Sequence, residues 1–193
     1  MPSTYTNNTG IELIATGEQS GTWGTTTNTN LQIIDRTLNG VGTIDLSSSG
    51  STHTLTTSDG TLSDGMYKVL VLTGATTGCT ITVSPNDQDK VFYVVNSSGQ
   101  TCTFSQGSGS NVSIGNGDTK IIYCDGAGAA AAVTDFTANL ASSSVNITGG
   151  TVSGITDIAI ADGGTGASTA SQALTNLGGE PAGTAVALAI ALG

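Results

Sequence analysis

Between residues 41 and 135, short apolar or alternating runs follow one another at close intervals, each closed by a turn signal. The runs are Thr43–Leu46, His53–Thr56, Tyr67–Thr73, Cys79–Val83, Lys90–Asn96, Thr101–Ser105 and Lys120–Cys124. Between them lie Ser58-Asp59-Gly60, Ser63-Asp64-Gly65, Ser84-Pro85-Asn86-Asp87, Ser97-Ser98-Gly99 and Gly115-Asn116-Gly117-Asp118. Runs this short suit strands, in which every second side chain points to the same face. Strands at this spacing predict a β-sandwich or small barrel. Val69–Leu72 and Val91–Val95 are apolar on both faces and are expected to be central strands. Val71, Ile81, Val94 and Ile121 are the expected core.

The flanking regions have a different texture. Residues 1–40 are polar and end in a helical pattern. Thr29-Asn30-Leu31-Gln32 has the form of a capping box, in which the Thr and Gln side chains satisfy each other's backbone donors. The helix start could also lie earlier, at Thr25 or Thr26. Leu31, Ile34 and Leu38 recur at helical spacing, and Gly40 suits a left-handed C-terminal cap. One short helix with one apolar stripe is not stable alone. It must pack on the next domain, on symmetry mates or on another protein.

Gly126–Val133 reads as a Gly/Ala linker. From Phe136 onward, Leu140, Val145, Ile147, Val152, Ile155, Ile158 and Ile160 are separated by Ser, Thr and Gly with almost no charge. A single copy of that pattern has too little apolar area to fold by itself. Three copies wound about an axis would share a thin core. A second capping box follows at Thr169-Ala170-Ser171-Gln172, with Ala170, Ala173, Leu174 and Leu177 on one face and Gly178 ending the helix. Glu180-Pro181 can start a last helix, Ala182–Leu192, which is apolar nearly all round and so expected to be buried or inter-chain.

Charge narrows the function classes. Only 9% of the 193 residues are charged, and fourteen acids against four bases give −10. A monomeric globular domain usually carries about 25% charged residues. Strand edges poor in lysine are open to pairing, so such a chain must bury its edges in an assembly or aggregate. Arg36, Lys68, Lys90 and Lys120 are scattered singly, so there is no basic stripe for phosphates and no nucleic-acid partner is expected. Anionic membrane surfaces are disfavoured for the same reason. The apolar C-terminal run is far shorter than the ~20 residues a bilayer requires, and no membrane insertion is expected. Met1-Pro2-Ser3-Thr4 has no secretory character. Cys79, Cys102 and Cys124 lie in apolar runs and read as buried free thiols, with a Cys102–Cys124 bridge as the alternative.

Candidate chemistry is sparse. The Gly163-Gly164-Thr165-Gly166 turn before a helix suggests a phosphate loop, but neither GxxxxGK[ST] nor GxGxxG is met, and Asp162 adds negative charge. A tight turn that lets backbones approach is the favoured reading. Asp59, Asp64, Asp87, Asp89 and Asp118 lie in turns where calcium is one reading, but capping of the turns by their side chains is simpler. His53 reads as a solvated strand histidine rather than a base. No enzyme activity and no cofactor are expected. Trp23 is an interface anchor or, equally, a packed residue of the fold.

Three stretches, in order, carry a resemblance. The first is Thr9-Gly10-Ile11-Glu12, Ala15-Thr16-Gly17-Glu18-Gln19-Ser20-Gly21-Thr22-Trp23-Gly24, Thr27-Asn28-Thr29-Asn30, Ile34-Asp35 and Leu38-Asn39-Gly40. The second is Val69-Leu70-Val71-Leu72-Thr73-Gly74, Ile81-Thr82-Val83-Ser84-Pro85, Tyr93-Val94-Val95-Asn96 and Tyr123-Cys124-Asp125-Gly126. The third is Ala161-Asp162-Gly163-Gly164-Thr165-Gly166-Ala167 with Asn176-Leu177-Gly178. The set covers most of the chain and resembles bacteriophage tail fibre proteins, particularly those of marine and cyanobacterial phages.

The resemblance implies a homotrimeric, elongated component of the virion tail, assembled in the host cytoplasm. Residues 1–40 would be the attachment segment, contacting other tail, baseplate or neck proteins through Ile11, Leu13, Trp23, Leu31, Ile34 and Leu38. Residues 41–135 would be the sandwich. Residues 136–193 would be a trimerising β-rich shaft with one or two short helices, meeting its copies through Val145, Ile147, Val152, Ile155, Ile158, Ile160, Leu174 and Leu177. Family members often continue into a large distal domain, whereas this sequence stops at Gly193, which favours an adaptor or short connecting fibre. The alternatives are a trimeric capsid or neck decoration protein, and a protein that binds or degrades a host surface glycan.

Overall fold

The computed structural model describes residues 2–138, 165, 167, 169–180 and 183–193. The chain divides into two compact units, Met1–Ala141 and Ser142–Gly193. The described residues are mainly β, with three sheets and three α-helices.

In the first unit, β1 (Thr4–Tyr5) and β2 (Glu12–Leu13) pair as an antiparallel hairpin and lead to helix α1 (Trp23–Asn39). The strands that follow are β3 (Val41–Asp45), β4 (Thr52–Thr56), β5 (Val69–Thr73), β6 (Cys79–Ser84), β7 (Asp89–Ser97), β8 (Cys102–Ser105), β9 (Val112–Ile114), β10 (Thr119–Asp125) and β11 (Val133–Asp135). Apart from β9 and β11, these strands fall where the apolar runs predict them.

The strands form a five-stranded sheet, β11-β10-β7-β5-β3, and a four-stranded sheet, β4-β6-β8-β9. From β3 to β8 the chain alternates between the sheets, so each strand pairs with the one two elements further on. These pairs, β3–β5, β5–β7, β4–β6 and β6–β8, are all parallel. A chain that crosses to the other sheet and returns re-enters the first sheet from the same end, which imposes that direction. The coil ends where β9, β10 and β11 turn back antiparallel.

Stacked turns of a coil place side chains in columns. Gly42, Leu70 and Val94 are in register, as are Ile44, Leu72 and Asn96. On the other sheet, His53, Ile81, Phe104 and Val112 align. The inward rows of both sheets feed one hydrophobic core, with Leu55, Leu70, Leu72, Ile81, Val94 and Phe104 fully buried.

Ile81 and Val94 are core residues as expected, while Val71 and Ile121 point outward and are only partly buried. Their neighbours Leu70, Leu72 and Ile122 take the inward positions, because a strand apolar on both faces does not reveal which face is inside. Both β5 and β7 are interior strands.

Other local expectations are revised. The Gly126–Val133 stretch is no linker: Ala131 and Val133 are buried, and Val133 pairs with Cys124. All three cysteines are free and buried, so no Cys102–Cys124 bridge forms. Helix α1 begins at Trp23, so the Thr29–Gln32 box lies inside it, and the N-cap Thr22 makes no side-chain cap bond. Gly40 is extended, φ −66° and ψ 134°, rather than left-handed. Glycine is required there by closeness, since a Cβ would sit 2.4 Å from the Arg36 carbonyl oxygen.

In the second unit, α2 (Ala170–Asn176) starts at Thr169, whose Oγ1 accepts from the Gln172 amide at 3.3 Å. Gly178 adopts φ +70° just beyond its end. These features match the Thr169 half of the second capping box and its glycine stop, whereas the Gln172 side chain donates to Asn176 Oδ1 at 3.0 Å instead of reaching back to Thr169. Helix α3 (Thr184–Ala191) occupies the Ala-rich run.

Candidate attachment surface

The hairpin and α1 are bound into the first unit by polar clips. Asn30 on α1 accepts from the Glu12 amide and donates to the Glu12 carbonyl, both at 2.9 Å, so one side-chain amide holds β2 to the helix. Gln19 donates to the Glu12 carboxylate and accepts from the Thr26 hydroxyl. Ser3 donates to Glu18 at 2.7 Å. At the far end of the helix, the Arg36 guanidinium stacks 4.4 Å from the Tyr67 ring centroid and donates to the Ser63 carbonyl at 3.3 Å. The hairpin turn reaches the β-sheets as well: Asn8 Oδ1 accepts from the Asp89 amide, and the Asn8 carbonyl accepts from the Lys90 ammonium.

The inward contact of α1 is made by Ile33, which is fully buried. Burial of that side chain contributes about 2 kcal/mol. Successive helical residues are rotated by about 100°, which puts Trp23, Leu31, Ile34 and Leu38 within about 80° of arc on a different side. They are 59%, 58%, 39% and 64% exposed. Leu13 on β2 is also exposed, and Ile11 is partly buried. The structure therefore brings four of the expected attachment residues onto one helix face and leaves that face open.

An open cavity of about 530 Å³ adjoins this face, lined by Leu31, Arg36, Val41, Leu62 and Tyr67 among others. Val41, Leu62 and Tyr67 escape a reading by helical period because they come from a strand and a loop. Val41 is in register with Val69, which is in register with Tyr93, so an apolar row continues across the outer face of the five-stranded sheet. At its other side Tyr123 stacks on Phe136 with ring centroids 5.6 Å apart.

No family model, no curated protein and no solved structure matches this chain.

In the second unit, Leu174 and Leu177 on α2 are exposed, as are Val186, Leu188, Ile190 and Leu192 at the C-terminal end. Of the expected inter-copy residues, Val145, Ile147, Val152, Ile155, Ile158 and Ile160 lie outside the described residues, as does most of the Gly163–Gly166 turn.

His53 stands in an inward column rather than in solvent; its Nδ1 lies 3.1 Å from Ser49 Oγ, and its buried Nε2 has no partner. Burial lowers the Lys90 ammonium to about 8 and pushes the Cys124 thiol up to about 12. Burial opposes ionisation of Asp135, but Lys120 at 2.8 Å and the hydroxyl and amide of Thr137 outweigh it and hold the carboxyl at about 2. Among the described residues no three His, Cys, Asp or Glu side chains gather as a metal cluster. None of the described helices is long and apolar enough to cross a membrane.

Proposed function

We propose that this chain is a structural, non-enzymatic virion component, a tail fibre or short fibre-like adaptor that joins a phage tail as a homotrimer. The observation that carries this reading is the open apolar stripe of Trp23, Leu31, Ile34 and Leu38 on a helix already packed through Ile33. A monomer has no use for four large apolar side chains on one exposed helix face, whereas an interface built on a few aromatic and aliphatic anchors does. The low charge of the chain supports the same reading, because copies with a net charge of −10 meet at less electrostatic cost through uncharged surfaces.

In this reading the two β-sheets sharing one core are the sandwich body of the fibre. The Ser142–Gly193 unit is the trimerising shaft, with the bare apolar side of α3 turned toward neighbouring copies. Residues 2–40 present the attachment face on the side of that body, positioned by the Asn30 and Arg36 clips. The experiment is to assemble particles with the full chain, locate it by imaging and measure its mass in the native state. A trimer located at the tail supports the reading. A monomer, or trimers on the capsid or neck, rejects it.

A further inference from the structure

Strand β3 forms one edge of the five-stranded sheet and pairs only with β5. The Val69 amide donates to the Gly40 carbonyl at 3.0 Å, and the Leu46 amide donates to the Thr73 carbonyl at 2.8 Å. Along a strand, the backbone groups of successive residues point to opposite edges. Gly42 and Ile44 are in step with Gly40 and Leu46, so they face β5. Val41, Thr43 and Asp45 therefore direct their N–H and C=O groups to the open side. All three residues are exposed.

Folds usually protect such an edge with lysine, proline, a bulge or a very short strand. The other edges of the two sheets have some protection. β9 and β11 are three residues long, and Gly65 lies against β4, where a Cβ would be 2.9 Å from the Thr56 carbonyl oxygen. β3 has five residues, with no lysine and no proline. Its one charged side chain, Asp45, is turned back on its own chain, with Oδ1 accepting from the Ser47 amide at 2.9 Å.

We propose that β3 is a self-pairing edge, to which a second copy of this chain adds its own β3 antiparallel about a two-fold axis. In an antiparallel ladder, alternate residues directly opposite each other exchange both of their bonds. A register centred on Thr43 sets Thr43 against Thr43 of the second copy and Val41 against Asp45. It uses every outward group of the strand, about six bonds in all. A slide to either side leaves some of them unpaired. Each Asp45 faces a Val41, so acidic copies meet without opposed carboxylates. The strand is thus its own complement in length, bonding and charge, which the three-residue β9 and β11 are not. The two five-stranded sheets become one continuous sheet. The proposal concerns the first unit and stands apart from the trimer reading.

The test uses the purified full chain. Native mass measurement should show even-numbered species. Thr43→Cys, oxidised by a small-molecule disulfide, should form a reducible dimer, because the opposed Cα atoms lie about 5.5 Å apart. The two protein thiols become one disulfide, and the oxidant is reduced to its own two thiols. Val41→Cys should not link, since the two Val41 positions are more than about 13 Å apart. The native cysteines are buried and do not compete. Thr43→Lys should weaken self-association at least about tenfold by opposing two ammonium groups, and mixing it with Thr43→Asp should restore the pair. Trimers with no even-numbered species overturn this inference and leave the trimer reading standing. Dimers with no threefold species support it and reject the trimer, and monomers alone overturn both. Equal cross-linking of Thr43→Cys and Val41→Cys also overturns it, because random collision then explains the two alike.

Discussion

Asn96 Nδ2 donates to the carbonyl of Ile114 at 2.8 Å, joining β7 of the five-stranded sheet to β9 of the four-stranded one. The same nitrogen donates to the Gln100 carbonyl at 2.8 Å, and Asn96 Oδ1 accepts from the Ser98 amide at 3.0 Å. Asn96 is fully buried at the end of the column that begins with Ile44 and Leu72. It closes that end of the core by satisfying backbone groups that hydrophobic packing cannot reach. Asn96→Leu keeps the volume but leaves those groups unpaired. The expected cost is about 2–4 kcal/mol, read from the urea midpoint. Unchanged stability would show that water replaces the side chain.

Gly42 is packed so closely that a Cβ would lie 2.2 Å from Tyr67 Cδ2. That ring also carries the Arg36 guanidinium. Gly42→Ala must therefore displace Tyr67 and loosen the C-terminal end of α1. Destabilisation of about 1–3 kcal/mol is expected in chemical denaturation. Faster amide exchange should appear near Arg36 while Phe104 in the opposite sheet stays protected.

Lys90 and Cys124 occupy paired positions on β7 and β10 and give stability a plateau in alkali. The folded chain releases the Lys90 proton at about 8 instead of 10.5 and keeps the Cys124 proton to about 12 instead of 9.0. Between pH 8 and 9 the unfolded chain holds one more proton, so this pair makes stability rise with pH. From 9 to 10.5 the two differences cancel. Between 10.5 and 12 the folded chain holds the extra proton and stability falls. The slopes are about 1.4 kcal/mol per pH unit. Unfolding followed across this range in Lys90→Met should lose the rising limb, and in Cys124→Ala the falling limb should vanish.

Trp23→Ala bears on the proposed attachment. With the side chain 59% exposed, the first unit should melt within about 1 kcal/mol of the parent. Particles assembled with the variant should carry far fewer fibres, whereas Lys68→Ala should leave occupancy unchanged. Normal occupancy with intact oligomers would move the attachment site away from α1.

Much of the local structure is legible in the sequence because its causes are local. Alternation sets the strands from β3 to β8 and β10, and Thr169, Gln172 and Gly178 mark the limits of α2. An apolar stripe at helical spacing places Leu31, Ile34 and Leu38 on one face. What the sequence does not contain is the partner of each face. Ile33, which breaks the stripe, is the residue buried, since the Asn30 and Arg36 clips turn that side of α1 inward. Val71 and Leu72 are equally apolar, and only the coil decides which faces the core. Parallel pairing of β3 with β5 joins strands separated by a full turn through the other sheet, so no short-range signal encodes it. Local sequence chooses an element by the cost of its own backbone and side chains, whereas inside, outside and neighbour are set by contacts that exist only after the chain has closed on itself.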